Sequence, residues 1–171
     1  MKFLKLLLIS FVLLFVLVTT ISLFIPSSVR ISKAVNVVAK KDSLYQEVAD
    51  IRRWPLWYPP MQDTAVQTRW EQDGNTVWLN GTKIVIDKRK TDEILASLST
   101  QSGRKVISGW KFMEIQQADS LTVQWYMDFK LKWYPWEKFS SLFYESMYGV
   151  QMEKGLQNLK ALAEKDHSSL N

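Results

Sequence analysis

The sequence lacks cysteine and has a single histidine among its 171 residues. Without cysteine there can be no disulfide, no thiol nucleophile and no thiolate metal site, whatever the compartment. The histidine, His167, lies in a polar stretch near the C-terminus and is expected to be solvated. Neither a Ser-His arrangement nor a histidine-ligated metal is therefore expected, and we expect no cofactor.

The excess of one sign of charge over the other is also small. The formal net charge is +5, and Lys2 and Lys5 lie ahead of a long apolar run, which leaves +3 for the rest of the chain. So mild a balance does not indicate a nucleic-acid partner, and we expect none. Glycine-rich phosphate loops, internal repeats and low-complexity segments are absent as well. The length suits one domain of ordinary size.

Aromatic residues, in contrast, are abundant. They make up 13% of the chain and include eight tryptophans. Such large, rigid side chains build either an aromatic core or the wall of an aromatic-lined cavity.

The long apolar run covers residues 6–25, which include no charged side chain. Twenty helical residues span about 30 Å, the hydrocarbon thickness of a bilayer. A cleavable signal peptide has a shorter apolar core and a small-residue cleavage site, and no good site is present. We therefore expect residues 1–28 to form an uncleaved membrane anchor, with a cleaved signal as the alternative.

Two sequence features make opposite predictions about the side of the membrane on which the domain lies. Two lysines precede the apolar run, whereas four basic residues, Arg30, Lys33, Lys40 and Lys41, follow it soon after. This count favours a cytoplasmic domain. A short basic N-terminus before an apolar run is, however, typical of an export signal. We expect a single-pass protein of a bacterial inner membrane with its domain on the exported side.

Residues 120–133 carry the clearest secondary-structure pattern. Apolar residues occupy every odd position from Leu121 to Trp133, and polar residues occupy the even ones except Tyr126. This alternation predicts a long strand that is buried on one face.

The remaining elements follow from similar patterns. Residues 43–51 are spaced as a short helix, and residues 52–61 form a loop rich in proline and aromatic residues. The predicted strands cover residues 30–39, 66–71, 76–79, 82–88, 94–100 and 106–116. Turns are predicted at Asp73-Gly74, Asn80-Gly81, residues 101–104 and residues 117–119. A long helix is predicted over residues 136–164, with Phe139, Leu142, Phe143, Met147 and Val150 beginning its inward stripe.

Two motifs in this order resemble those of a known superfamily. One is Trp54-Pro55-Leu56-Trp57-Tyr58-Pro59, after the first short helix. The other runs from Trp110 through residues 121–125 to Tyr148-Gly149-Val150 and Lys154-Gly155-Leu156. Together they resemble the START-like (SRPBCC) superfamily, particularly its polyketide cyclase/dehydrase and lipid transport group, over about residues 30–164. These motifs are structural rather than catalytic.

The resemblance implies an α+β helix-grip fold. A curved antiparallel sheet of about seven strands would wrap a long C-terminal helix, with the domain over residues 29–165 and a polar tail over residues 166–171. It also implies a cavity that holds an apolar molecule. Candidate lining residues are Trp54, Trp57, Tyr58, Trp78, Trp110, Trp125, Met127, Phe129, Phe139, Phe143 and Met147. The alternative is that these side chains fill a dry core.

Residues suited to catalysis are few. Glu114 shares the parity of inward-facing neighbours, whereas Asp128 lies on the outward parity of its strand. A buried carboxylate could act as an acid or base, but a solvent-exposed Glu at a strand end is the more common case. Arg52 and Arg53 are candidates for pairing with an anionic head group.

Three functions are consistent with these observations. The first is a membrane-tethered module that binds a lipid or other hydrophobic small molecule. The second is an enzyme of the cyclase/dehydratase kind, which requires Glu114, Tyr58, Tyr126 or Tyr144 to face the cavity. The third is an interaction or scaffold module of the cell envelope, which requires the rings of residues 133–136 to be exposed.

Overall fold

The computed structural model describes residues 2–115 and 120–168, with the backbone alone for residues 166–168. Within these residues the chain forms seven strands: β1 (Ser28–Val37), β2 (Thr68–Trp70), β3 (Thr76–Leu79), β4 (Thr82–Arg89), β5 (Glu93–Ser99), β6 (Lys105–Glu114) and β7 (Leu121–Lys130). The α-helices are α1 (Lys2–Leu23), α2 (Lys41–Ala49), α3 (Pro59–Gln62), α4 (Pro135–Ser140) and α5 (Val150–Ser168). Tighter 3-10 turns cover Ile51–Leu56 and Ser141–Phe143, and a wider π-helical turn covers Glu145–Gly149.

The strands form one antiparallel sheet in the order β1-β7-β6-β5-β4-β3-β2. Strands β2 to β7 follow one another as a meander, and β1 pairs with β7 at the far edge. The register between β4 and β5 shifts after Ile86, and a bulge of this kind bends a strand. The C-terminal helix packs across one face, so the predicted α+β helix-grip architecture is confirmed.

Strand β7 has the predicted alternation. Its odd positions from Leu121 to Phe129, together with Leu131, are buried under the helices. Tyr126 is also buried, but on the opposite face, where its ring covers Gly109 of β6. The strand ends at Lys130, so the prediction that Trp133 continues the buried parity is wrong, and its side chain is exposed.

The C-terminal helical region is not the uniform helix that its spacing predicts. Four of the five residues expected to begin the inward stripe are exposed, and the inward positions belong to Ser141, Tyr144 and Tyr148. From Met152 onwards the predicted stripe is correct, because Met152, Leu156 and Leu159 are fully buried. The segment before residue 150 is apolar on both faces, so periodicity alone could not select the buried one.

The N-terminal helix α1 is the one described helix that is long and apolar enough to cross a membrane, and a signal sequence would have the same properties. Its apolar side chains are exposed along most of its length. Its C-terminal end is joined to α4, because the ammonium of buried Lys138 donates hydrogen bonds to the Ile25 carbonyl (2.8 Å) and the Ser27 hydroxyl (2.9 Å).

At the other end of the chain, the backbone of α5 continues to Ser168. The first residues of the expected polar tail are therefore helical. The side chain of His167, the predicted turn at residues 117–119, and residues 169–171 lie outside the described part of the chain.

Candidate functional site

Four tryptophans form a closed aromatic cluster between the sheet and the helices. Trp54 lies in the 3-10 turn and Trp57 directly follows it, while Trp110 and Trp125 lie opposite each other on β6 and β7. Ring centroids of Trp54 and Trp110 are 5.1 Å apart, and those of Trp110 and Trp125 are 5.4 Å apart. All four side chains are at most 2% exposed.

Hydrogen bonds hold three of these rings in place. The indole nitrogens of Trp54 and Trp57 donate to the Val48 and Glu47 carbonyls of α2, and that of Trp125 donates to the Ser108 hydroxyl. These tryptophans therefore pack as a core, and the structure does not place them on a cavity wall.

Beside this cluster lies a cavity of about 310 Å³ between the sheet and the helices. Volumes of this size lie at the lower end of the range for small-molecule sites, about 300–1,000 Å³. The apolar part of its lining consists of Pro60, Val66, Leu79, Ile84, Leu98, Val106 and Met127. The polar part consists of Tyr58, Asn80, Thr82, Thr100, Arg104 and Tyr148.

The strand register places this cavity at one end of the sheet. Phe129 of β7 pairs with Val29 and with Val106, and Leu98 pairs with Val106 and with Ile84. Three cavity residues, Ile84, Leu98 and Val106, thus share a row of the sheet with the beginning of β1, a few residues after α1. The Trp110–Trp125 pair lies four positions further along the strands, or about 13 Å.

Tyr58 and Tyr148 are the two phenols among the lining residues. Burial raises the pKa of Tyr58 well above its ordinary range, and burial likewise raises the pKa of Tyr148. Both phenols therefore stay protonated at neutral pH, which suits a hydrogen-bond donor better than a base. Tyr58 is the one of the four proposed titratable candidates that lines this cavity.

The other predicted lining residues lie in different places. Met127 lines the cavity, and Phe129 lies next to it, with its ring 4.9 Å from that of Tyr148. Trp78 is on the outer face of the sheet, because its neighbours Val77 and Leu79 take the inward positions of β3. A polar hollow of about 540 Å³ lies beside Trp78 and is lined by Gln67, Thr68, Arg69, Asn80, Gly81 and Gln101.

The helix residues require a correction. Phe143 and Met147 are 64% and 58% exposed and lie outside the cavity, and Phe139 is only partly buried. Tyr144 and Tyr148 take the inward positions instead, where both pack on Phe129.

Six large apolar side chains between residues 133 and 150 are exposed instead. We name these residues the apolar face: Trp133, Trp136, Leu142, Phe143, Met147 and Val150. Of the residues that motivate an interaction module, Trp133 and Trp136 are therefore exposed, whereas Tyr134 is partly buried and Pro135 is buried.

The carboxylates considered for catalysis do not reach the cavity. Glu114 is exposed and lies 3.7 Å from the Lys41 ammonium, while Asp128 forms a bidentate ion pair with Arg30 on the outer face. Among the cavity residues named above there is no carboxylate. In the described part of the chain, no three histidine or acidic side chains come together as a metal site.

A partly buried polar pair lies on the outer face of the sheet. The Tyr126 hydroxyl donates a 2.8 Å hydrogen bond to Glu93, and burial together with this bond raises the pKa of Tyr126 to about 12. Hydrogen bonding from Lys90 lowers the pKa of Glu93. Since neither residue lines the cavity, we assign this pair a structural role.

Sequence patterns also missed residues that matter for the site. Arg53, a candidate for an anionic head group, is paired with Glu47, whereas Arg104, which received no such role, lines the cavity. The aliphatic residues of β4 to β6 were missed because an inward-facing residue has the same alternation whether it meets a neighbour or a void. The one available signal for the position of the cavity was the pair of predicted turns at Asn80-Gly81 and residues 101–104, because Asn80 and Arg104 both line it.

No protein-family model and no curated protein sequence matches the chain significantly. Solved structures do match. A START superfamily protein from Mycobacterium smegmatis has 19% identity and a TM-score of 0.54, over 80% of this chain and 97% of that one. The Zhui aromatase/cyclase from Streptomyces sp. R1128 has 16% identity and a TM-score of 0.55, over 81% and 94%.

The di-domain ARO/CYC StfQ of the steffimycin biosynthetic pathway has 14% identity and a TM-score of 0.59, over 82% of this chain and 52% of StfQ. This chain thus spans about half the length of that two-domain protein. Likeness at these identities concerns the fold alone, and it shows that the chain has a START-like helix-grip fold, preceded by an apolar helix.

Proposed function

We propose that the protein is a membrane-tethered START-like domain that binds one hydrophobic or lipid-like small molecule between its sheet and its C-terminal helix. The observation that carries this proposal is the cavity of about 310 Å³, which is lined by seven apolar residues together with Asn80, two threonines, two tyrosines and Arg104. A mostly apolar concave site with a few polar groups is typical of small-molecule binding.

The comparisons support the same kind of function. The similar structures include a START superfamily protein and two aromatase/cyclase proteins. The two aromatase/cyclase names describe proteins that act on small molecules. Helix α1 supports the tether by its length and composition. In this proposal residues 1–28 anchor the chain, residues 29–165 form the binding domain, and the domain lies on the exported side of a bacterial inner membrane.

The test is uptake of a neutral apolar fluorophore, N-phenyl-1-naphthylamine, by the full chain in lipid nanodiscs. Val106→Phe fills the cavity, and Val38→Phe adds the same ring at an exposed position. We expect saturable 1:1 binding by the wild type and by Val38→Phe, and loss of that binding by Val106→Phe. Equal binding by all three chains would show that the probe dissolves in lipid or in α1, and the proposal would fail.

A second candidate function, contact with a partner in the cell envelope, is favoured by the exposure of Trp133 and Trp136. It requires no small ligand. A folded chain that takes up no apolar probe in the same experiment would leave this function as the better account. Protease accessibility of the domain in whole cells tests the side of the membrane.

A further inference from the structure

A basic groove adjoins the cavity at the end of the sheet where α1 leaves the domain. The groove has a volume of about 400 Å³ and is lined by Ser102, Gly103, Arg104, Lys105, Lys130, Leu131, Lys132 and Glu137. Four of these side chains are basic and one is acidic. Arg104 lines both the groove and the apolar cavity.

We propose that the bound molecule is an anionic amphiphile, with one apolar chain in the cavity and a carboxylate or phosphate head on Arg104 in the groove. This inference deepens the proposed function and rests on it. An apolar cavity bordered by a cationic group matches a molecule that is apolar at one end and negatively charged at the other. A guanidinium binds both carboxylates and phosphates through paired N–H donors.

The contacts of Arg104 are compatible with this role. One of its nitrogens donates a 3.3 Å hydrogen bond to Glu137, whose side chain is nearly buried, while the Arg104 side chain is 43% exposed. Its other donors can reach a ligand while Glu137 holds the guanidinium at the junction. Lys105, Lys130 and Lys132 are exposed around it and add positive potential.

The experiment compares three probes with the same chain length, decanoate, decyl phosphate and decanol, on the full chain in nanodiscs. Arg104→Gln removes the charge at the junction, and Lys154→Gln removes one exposed charge on α5 as the control. We expect the wild type to bind both anions about tenfold or more tighter than decanol. Arg104→Gln should lose that preference, and Lys154→Gln should keep it.

The outcomes separate the two proposals. Equal affinity for decanol and the anions in the wild type would overturn the anionic head and leave the apolar site standing. No binding of any probe would overturn the site itself. A preference for decyl phosphate over decanoate would support a phosphate-bearing ligand, and the reverse a carboxylate. A preference that survives Arg104→Gln would overturn the role of Arg104.

The apolar face carries a second inference independently. Its residues lie on the same helical region that Lys138 ties to the end of α1, so this surface begins where the proposed membrane span ends. Exposed Lys130 and Lys132 come shortly before Trp133 in the chain. We infer that the apolar face rests in the headgroup region of the bilayer. This region accommodates tryptophan and other apolar side chains, and basic side chains next to them can contact the lipid headgroups.

Because the chain has no cysteine, single labels report on this surface directly. An environment-sensitive fluorophore would be attached at Met147→Cys, at Gln157→Cys on the exposed side of α5, and at Phe15→Cys within α1. In nanodiscs of zwitterionic and anionic lipid we expect blue-shifted emission and quenching by spin-labelled lipid at positions 15 and 147, and aqueous emission at 157.

Aqueous emission at 147 with apolar emission at 15 would overturn docking and leave the tether intact. Aqueous emission at 15 would overturn the tether itself. A label at 147 that is aqueous in nanodiscs and shielded in native membranes would overturn docking in favour of a protein partner.

Discussion

The two halves of the helix-facing side of the sheet are filled in different ways. Under α5, four tryptophans meet edge to face and stacked with almost no exposed area. Under the π-helical turn, aliphatic residues of β4 to β6 leave a cavity of about 310 Å³. Tyr58 belongs to both halves, because it touches Trp54 and Trp125 and also lines the cavity.

The comparison separates a half that stabilises the fold by packing from the half in which we propose that a ligand binds. Large rings fill the first half, and filled interiors resist any change in volume. The side chains of the second half lose packing contacts where they line the cavity, and a ligand could occupy that space. Substitutions of the same kind should therefore have different consequences in the two halves.

The largest effect is expected for Trp57→Ala. Trp57 is fully buried among four other aromatic rings, so its loss should lower the free energy of unfolding by about 3–5 kcal/mol. Trp136→Ala removes the same side chain from an exposed position and should change the free energy of unfolding by about 0.5 kcal/mol or less. Denaturant unfolding measures both, and similar losses would contradict a closed tryptophan core.

The fit between helix and sheet is tested by Gly155→Ala. A methyl group at position 155 would lie 2.8 Å from the Trp125 ring and 3.1 Å from Pro59. We expect a net loss of about 1–3 kcal/mol from overpacking, although alanine favours a helix by about 1 kcal/mol. Gln157→Ala, an exposed change on the same helix, is the control. A stabilised Gly155→Ala chain would show that α5 is not held against the tryptophans.

The sharpest contrast comes from one substitution made in each half. Val123→Phe inserts a ring into a fully buried position of β7 and should cost about 1–3 kcal/mol. Val106→Phe inserts the same ring beside the cavity and should cost less than about 1 kcal/mol, because space is available. Thermal unfolding of the two variants compares them directly. Equal costs would mean that the cavity closes in solution.

The smallest effect concerns Tyr58 and pH. Burial raises the folded-state pKa of Tyr58 above its ordinary value near 10, so its contribution to stability is complete below about pH 10 and is lost as pH rises further. Tyr58→Phe should therefore flatten part of the alkaline decline in unfolding free energy. Unfolding curves at about pH 8 and about pH 11 measure it. An unchanged decline would indicate that Tyr58 is more solvated than its surroundings imply.

The sequence determined the architecture well and the site poorly, for physical reasons. Alternation along β7 identifies both the strand and its buried face, because a strand has only two faces. The segment from Pro135 to Val150 is apolar on both faces, so spacing could not show that Tyr144 and Tyr148 point inward. The abundance of tryptophan indicated a core or a cavity, and the structure shows a core at four positions and an exposed surface at Trp133 and Trp136.

The most direct test of the binding half is photolabelling of the full chain in nanodiscs with an alkyl diazirine carboxylate. The account predicts that labels on Leu98, Met127 or Tyr148 are competed away by unlabelled decanoate, since these residues line the cavity. Labelling confined to α1 and the apolar face, or competed labelling of Trp54 and Trp110 instead, would contradict the division of this surface into a closed core and a binding cavity.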